Sequence, residues 1–213
     1  MTEPLFLIYL ATVIGAYLLG SIPFGFLVAK AKGVDIRSVG SGNIGATNAM
    51  RVLGKPAGIF VLVLDCAKGF FAVGTGYFIS QAFGATDVQI ETSRIFAGIF
   101  AVLGHNYTCW LRFKGGKGIA TTAGVYLALA PWAMLIALVV FILALLATRI
   151  VSVASMSAAV ALPAAVWVMM THNLFLGLVT TALGALAIYK HKSNIQRLRA
   201  GTENRFGQKK ESK

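Results

Sequence analysis

The chain has 213 residues, of which 57% are hydrophobic and 12% are charged; soluble proteins carry about 25% charged residues, so an ordinary soluble domain is excluded. The net charge of +12 does not indicate nucleic-acid binding, because the basic residues lie in short connectors between apolar runs, as in membrane proteins with positive inner loops. Cys66 and Cys109 lie in apolar surroundings without a metal-binding spacing, so no disulfide, metal site or other cofactor is expected.

Apolar runs follow one another along the whole chain. A helix needs about 20 apolar residues to cross a bilayer. The candidate runs are 5–28, 57–83, 95–110, 119–148, 151–170 and 173–189. The fold class is therefore predicted as all-α, a polytopic integral membrane protein with a single domain over 1–213. Its basic tail, 199–213, is expected to end in a disordered segment.

The run 119–148 decides the number of spans, because Pro131 interrupts it. One continuous helix gives six spans, whereas a break at the proline gives seven, since proline removes a helix hydrogen bond and clashes with the preceding turn. Seven spans place every basic cluster on one side of the membrane, as the positive-inside bias favours. We therefore expect about seven transmembrane helices, with the N-terminus outside and the C-terminus inside.

The connector after the first run contains Gly-Ser-Gly-Asn-Ile-Gly-Ala-Thr-Asn at 40–48, followed by Arg51. Glycines permit positive φ, and successive amide groups in such a turn can form an anion-binding concavity. Arg51 offers a forked cation suited to phosphate. The alternative is a flexible joint between helices, but the density of polar residues beside an arginine favours an anion site. Its candidate residues are Ser41, Gly42, Asn43, Gly45, Ala46, Thr47, Asn48 and Arg51.

Two opposite charges, Asp65 and Lys68, lie three residues apart inside the second run. A lone charge at the centre of a membrane helix costs at least ~2.5–3.5 kcal/mol. The spacing therefore predicts an ion pair that faces the helix bundle and braces the site. A direct catalytic role is the second interpretation.

The second glycine-rich connector follows the third run and contains Lys114, Gly115, Gly116, Lys117 and Gly118. It differs from a P-loop, because Gly118 stands where that motif has Ser or Thr and no strand precedes it. A glycine-rich turn that opens a helix is nevertheless expected to expose amide groups and the positive end of the helix dipole. His105, just before it, is interpreted as a packed, hydrogen-bonded histidine rather than a catalyst.

The third polar cluster begins the tail. His191 and Asn194 are three residues apart and would share one face of a helix. Glu203 is the single acid among several basic residues, and we expect it to hold the tail by ion pairing.

These three clusters resemble the motifs of the acyl-phosphate:glycerol-3-phosphate acyltransferase family (PlsY type), and the similarity spans nearly the whole chain. The resemblance implies a seven-helix enzyme of a bacterial inner membrane, with its site facing the cytoplasm. Such an enzyme moves a fatty acyl group from acyl phosphate to the 1-hydroxyl of glycerol 3-phosphate, giving lysophosphatidic acid and phosphate. The His-x4-Asp signature of other glycerolipid acyltransferases is absent from the sequence.

The resemblance also implies residue roles. Ser41 and Arg51 match functionally required positions, 114–118 match the glycerol 3-phosphate motif, and Glu203 matches a structural position. The expected catalytic residues are Ser41, Arg51, Lys114, His191 and Asn194. The expected partners are the two phosphorylated substrates and membrane lipids, without nucleic acid.

Direct attack by the glycerol hydroxyl is expected, because positioning alone can lower such a barrier by up to ~7–11 kcal/mol. The proton acceptor is His191 or a phosphate oxygen of the substrate, with the latter favoured. A transporter of a phosphorylated anion is the rival hypothesis, and a lipid-binding scaffold is the third.

Overall fold

The computed structural model describes residues 3–207, with side chains from residue 5 onward. All regular secondary structure within this range is helical, which confirms the all-α prediction. The helices are α1 Glu3–Ser21, α2 Phe24–Lys30, α3 Ala46–Leu53, α4 Lys55–Ala82, α5 Asp87–Asn106, α6 Ile119–Leu129, α7 Pro131–Thr148, α8 Val151–Met169, α9 Leu174–Lys190 and α10 Lys192–Arg199, with a short 3-10 helix at Cys109–Leu111. The predicted disordered end, 208–213, lies outside the described residues.

The helices have the length and composition of an integral membrane protein. Four candidate spans are long and apolar enough to cross a bilayer, namely Leu5–Lys30, Lys55–Ala82, Pro131–Thr148 and Val151–Met169. A fifth is added if Leu174–Lys190 and Lys192–Arg199, which meet at a bend of 52°, are taken together. Large apolar side chains project outward along α7, where Leu143 is 60% and Leu146 is 72% exposed, as lipid contact requires. The number seven and the orientation stay predictions.

Helix contacts divide the chain into two compact units, residues 1–129 and residues 130–213. The division falls at the predicted break, because α6 ends at Leu129 and α7 begins at Pro131. Proline suits the first position of a helix, where its missing N–H leaves no hydrogen bond unmade. The single-domain assignment stays a prediction.

In the first unit, α1 and α4 pack against α5, and α4 also packs against α6. The helices approach closely at small residues, as is usual in membrane bundles. A Cβ atom on Gly69 of α4 would overlap the carbonyl oxygen of Thr121, and one on Gly124 of α6 would overlap that of Cys66. The contact of α1 with α5 is also polar, because the hydroxyl groups of Thr12 and Ser93 lie 2.9 Å apart.

Both glycine-rich connectors lie at one end of this first unit. Ile44 of the first connector and Leu111, just before the second, belong to one buried apolar cluster with Val61 of α4. At the same end, α1 stops two residues before Pro23, which leaves carbonyl groups available. Thr108 donates to the carbonyl of Ser21 at 2.6 Å, which ties the chain after α5 to the end of α1.

In the second unit, α8 packs against α7 and α9. Gly184 of α9 leaves no room for a Cβ beside the carbonyl oxygen of Ala159 in α8. Trp167 of α8 donates its indole N–H to Thr181 of α9 at 3.0 Å. Beyond α10 the chain returns to α7, where the amide of Phe206 donates to the carbonyl of Arg149.

Candidate functional site

The first glycine-rich connector leads directly into a helix that the sequence analysis did not predict. The helix α3 begins at Ala46, with Gly45 as its N-cap residue. Gly40 and Gly42 adopt φ of +63° and +69°, as expected of a turn that relies on glycine. The connector is therefore a defined turn with a helix end, rather than a flexible joint.

Asn48 holds this turn together from inside. Its side chain is 1% exposed, and its Oδ1 accepts a hydrogen bond of 2.8 Å from the amide of Ser41. The two N–H groups of its Nδ2 are shared among the carbonyl groups of Ile36, Val39 and Asn43, at 3.2, 3.1 and 2.9 Å. Asn48 is among the residues predicted to bind substrate, and in the structure its amide group forms hydrogen bonds within the connector.

Some of the backbone amide groups predicted to bind an anion donate hydrogen bonds within the turn instead. The amide of Gly45 donates to Oδ1 of Asn43 at 2.9 Å, and that of Gly42 donates to the carbonyl of Val39 at 3.0 Å. The amide groups at Ala46 and Thr47 open α3, where a helix provides no internal acceptor. The side chains of Ser41, Thr47 and Arg51 are exposed. Anion binding by this connector stays a prediction, and it now points to the start of α3 and to these exposed side chains.

The second connector folds back onto the end of α5. The amides of Gly115 and Gly116 donate to the carbonyls of Asn106 and His105 at 3.2 and 3.0 Å. The expectation that this turn exposes its amide groups is therefore wrong at these two positions. The reason is that the last carbonyls of a helix need donors from outside it. Lys114 and its two preceding residues remain exposed, so Lys114 keeps its predicted accessibility.

The backbone before Lys114 is unusual. Arg112 and Phe113 both adopt left-handed φ, +53° and +59°, which is uncommon for residues other than glycine. Gly118 has φ +80°, and a Cβ there would lie 2.8 Å from Oδ1 of Asn106. These conformations define the shape of the turn that presents Lys114.

The predicted ion pair of α4 is present. Nζ of Lys68 lies 2.9 Å from Oδ1 of Asp65, and both side chains are at most 2% exposed. Nζ of Lys68 also donates to the carbonyl of Ile22 at 2.8 Å. Nδ1 of His105 lies 3.5 Å from the same oxygen of Asp65. The pair thus joins α4 to α5 and to the end of α1, as a brace would.

In the second unit, Glu203 gathers the third polar cluster. Its carboxylate accepts hydrogen bonds from Asn194 at 2.7 Å, from Arg197 at 2.6 Å and from Ser152 at 3.0 Å. The expected ion pairing of Glu203 is therefore present. Ser152 was not among the predicted site residues, although a serine at the start of an apolar run after Arg149 was a signal.

His191 forms the junction between α9 and α10 and is 3% exposed. Its Nδ1 lies 2.8 Å from the carbonyl oxygen of Ala187. Because a carbonyl oxygen only accepts hydrogen bonds, Nδ1 carries the proton. In the neutral imidazole, Nε2 is then the basic nitrogen, which is the form that a proton acceptor needs.

The Glu203 network predicts a stability that depends on pH. Burial raises the pKa of Glu203, but the hydrogen bonds from Asn194, Arg197 and Ser152 outweigh it and lower the pKa below its ordinary value of 4.5. A lowered folded-state pKa stabilises the fold above the ordinary value, and this contribution is lost as the pH falls through the folded value.

We therefore expect wild type to be more stable than Glu203→Gln near pH 7, and this difference to shrink below pH 4.5. Thermal unfolding of both proteins in detergent, measured from neutral to acidic pH, tests this. A difference that stays constant across the range would contradict it.

Comparisons with known proteins show what the chain is similar to. A family model described as glycerol-3-phosphate acyltransferase matches residues 10–201. Among proteins named glycerol-3-phosphate acyltransferase, that of Geobacter metallireducens is 52% identical over 94% of this chain and 98% of its own length. The corresponding protein of Geotalea daltonii is 47% identical over 91% and 95%.

Two solved structures are similar along nearly their whole length. Both are described as PlsY (YgiH), an integral membrane glycerol 3-phosphate acyltransferase, and are 43% identical to this chain. The glycerol 3-phosphate form superposes with a TM-score of 0.83 over 93% of this chain and 96% of that chain. The lysophosphatidic acid form gives a TM-score of 0.78 over 93% and 95%.

Proposed function

Because the chain belongs to the glycerol-3-phosphate acyltransferase family, we propose that it takes the acyl group from acyl phosphate. The proposed acceptor atom is the 1-hydroxyl of glycerol 3-phosphate, and the products are lysophosphatidic acid and phosphate. Both substrates of this reaction carry a phosphate group. The observation that carries the proposal is that two glycine-rich connectors, with the exposed cations Arg51 and Lys114, lie at one end of the first unit.

In this proposal the two connectors bind the phosphate groups of different substrates. The first connector, at the start of α3, holds the phosphate of the acyl phosphate, since helix N-termini suit phosphate oxygens. Ser41 and Arg51 contribute to binding glycerol 3-phosphate, since a forked guanidinium also suits phosphate oxygens. The segment 114–118 holds glycerol 3-phosphate, and Lys114 is its exposed cation. The exposed apolar surface of the helices accommodates the acyl chain.

The proposed reaction is a direct transfer. The 1-hydroxyl oxygen attacks the acyl carbonyl, the new ester bond forms, and the bond between the carbonyl carbon and the phosphate oxygen breaks. Inorganic phosphate leaves with the electron pair, and the first connector offsets its charge. The hydroxyl proton passes to a phosphate oxygen of the substrate. His191, with its basic Nε2, is the alternative acceptor, and the roles of His191 and Asn194 stay predictions.

We also place the protein in a bacterial inner membrane as about seven spans, with the N-terminus outside and the C-terminus inside. The bacterial relatives support a bacterial membrane. The distribution of Lys and Arg supports cytoplasmic connectors. Labelling of single cysteines introduced beside Gly45 and Gly116 from each side of sealed vesicles tests this. If the label reacts with these cysteines only from the outer side, the proposed orientation is wrong.

A turnover assay tests the proposed function. Purified protein in detergent, given acyl phosphate and glycerol 3-phosphate, should release phosphate only when both substrates are present. Turnover without two compartments separates an enzyme from a transporter. Arg51→Gln and Lys114→Gln should each lower kcat/KM about 10- to 100-fold, because a hydrogen bond to a charged group contributes about 1.5–3 kcal/mol.

The matched control is Lys32→Gln, which removes an exposed lysine outside the glycine-rich segment. It should leave kcat/KM close to that of wild type. Absence of phosphate release from the wild-type protein would refute acyl phosphate as donor. An equal loss in all three variants would show that only net charge matters.

A further inference from the structure

A buried cluster of three ionisable side chains, Asp65, Lys68 and His105, has no part in the proposed bond-making steps. Asp65 contacts both basic groups, at 2.9 Å to Nζ of Lys68 and 3.5 Å to Nδ1 of His105. All three side chains are at least 95% buried. Because buried charges are costly in a membrane, their presence there calls for a functional reason.

The other side of the His105 imidazole faces the second glycine-rich connector. Gly116 is packed against Nε2 of His105 so closely that a Cβ atom would overlap it. The main chain of His105 also accepts a hydrogen bond of 3.0 Å from the amide of Gly116. His105 therefore contacts Gly116 through both its ring and its backbone.

The neighbouring residue continues the same contact. The carbonyl of Asn106 accepts a hydrogen bond from Gly115 at 3.2 Å, and Oδ1 of Asn106 lies beside Gly118. The turn that presents Lys114 thus rests on the last two residues of α5. On the other side of the ring, Nδ1 of His105 lies 3.5 Å from Oδ1 of Asp65, and Lys68 connects Asp65 to the carbonyl of Ile22, just after α1.

We propose that His105, oriented by Asp65, is a positioning residue that sets the 114–118 turn for glycerol 3-phosphate. This inference rests on the proposed function, because it assigns that substrate to the turn. His105 acts through Gly116, with its Nδ1 directed to Asp65 and its Nε2 to the turn. A displacement of about 1 Å in a binding group can cost about 100-fold in rate, so a small shift of this turn is sufficient.

The test measures the Kd of glycerol 3-phosphate by direct binding to the purified protein, together with both KM values and kcat. His105→Ala should raise the Kd and KM for glycerol 3-phosphate about 10- to 100-fold. The KM for acyl phosphate should change little, because that substrate is assigned to the first connector. A general loss of structure would instead raise both KM values.

Two conservative variants separate the two sides of the ring. His105→Gln carries its amide about as far as Nε2, whereas His105→Asn reaches only as far as Nδ1. If contact with the turn is the important one, Gln should retain more affinity for glycerol 3-phosphate than Asn. Equal losses in the two variants would count against the role assigned to Nε2.

A double-mutant cycle between His105 and Gly116 tests the contact with the turn itself. Gly116→Ala should weaken binding, because the new methyl group collides with His105. In His105→Ala that space is empty, so adding Gly116→Ala should cause no further loss. Strictly additive losses would show that the two residues act independently and would overturn the proposal.

The control is Ser93→Ala, which removes a buried hydrogen bond to Thr12 elsewhere on α5. It should lower thermal stability without changing the Kd of glycerol 3-phosphate.

Binding measurements also separate this inference from the donor assignment. If wild type binds glycerol 3-phosphate but does not use acyl phosphate, the donor assignment fails while the His105 variants still decide the inference. If the His105 variants bind glycerol 3-phosphate as tightly as wild type does, the proposal that His105 positions the turn is wrong.

Discussion

Replacement of Asn48 by alanine is expected to remove most acyl-transfer activity because the first connector loses its internal support. The Asn48 side chain is hydrogen-bonded to four backbone groups in the segment 36–43, three of which share its two N–H groups. A hydrogen bond contributes about 0.5–1.5 kcal/mol, and a buried group left unsatisfied costs about 1–3 kcal/mol. We expect a loss of about 3 kcal/mol in stability and a fall in kcat/KM of at least about 100-fold.

Thermal unfolding in detergent and steady-state kinetics of Asn48→Ala measure the two effects together. Asn43→Ala is the matched comparison, because its side-chain oxygen accepts one hydrogen bond, from Gly45. It should cost only about 1 kcal/mol. An Asn48→Ala protein that is as stable as wild type but inactive would place the Asn48 amide in contact with substrate, as the sequence analysis first assigned it.

The features that could be predicted from the sequence are those that a membrane imposes directly. The length of the apolar runs follows from the thickness of the bilayer, and Pro131 ends a helix for a local reason. The Asp65–Lys68 pair was predictable because one turn of helix separates two charges that each need a partner. In each case the cause lies within a few residues of the chain.

The features that were missed depend on contacts between distant residues. Ser152 and Glu203 are 51 positions apart, and nothing local joins them. Likewise, composition showed that 40–48 and 114–118 are rich in amide donors, but not which acceptors they use. The carbonyls at the end of α5 accept hydrogen bonds from the amides of Gly115 and Gly116, and the side chain of Asn48 accepts one from the amide of Ser41. The short helix α3 was missed because its eight residues hold no apolar run.

The second large effect is expected when one member of the buried ion pair is removed. Asp65→Leu leaves Lys68 in the apolar interior of the first unit, beside the carbonyl of Ile22 but without its carboxylate. Removing one partner of a buried pair costs about 3–5 kcal/mol. We therefore expect Asp65→Leu to unfold at a much lower temperature than wild type and to lose activity.

The double variant Asp65→Leu/Lys68→Met separates bracing from chemistry. Replacing both charges by apolar groups of similar size is often close to neutral, so thermal stability should largely return. Glycerol 3-phosphate binding should nevertheless stay weak, because His105 no longer has Asp65 to orient it.

If the double variant stays as unstable as Asp65→Leu, the brace depends on more than this pair. If it binds glycerol 3-phosphate like wild type but transfers no acyl group, the charges take part in the chemistry and the bracing interpretation is wrong. The membrane environment increases the expected difference between the two variants, because no water is present there to solvate a lone buried charge.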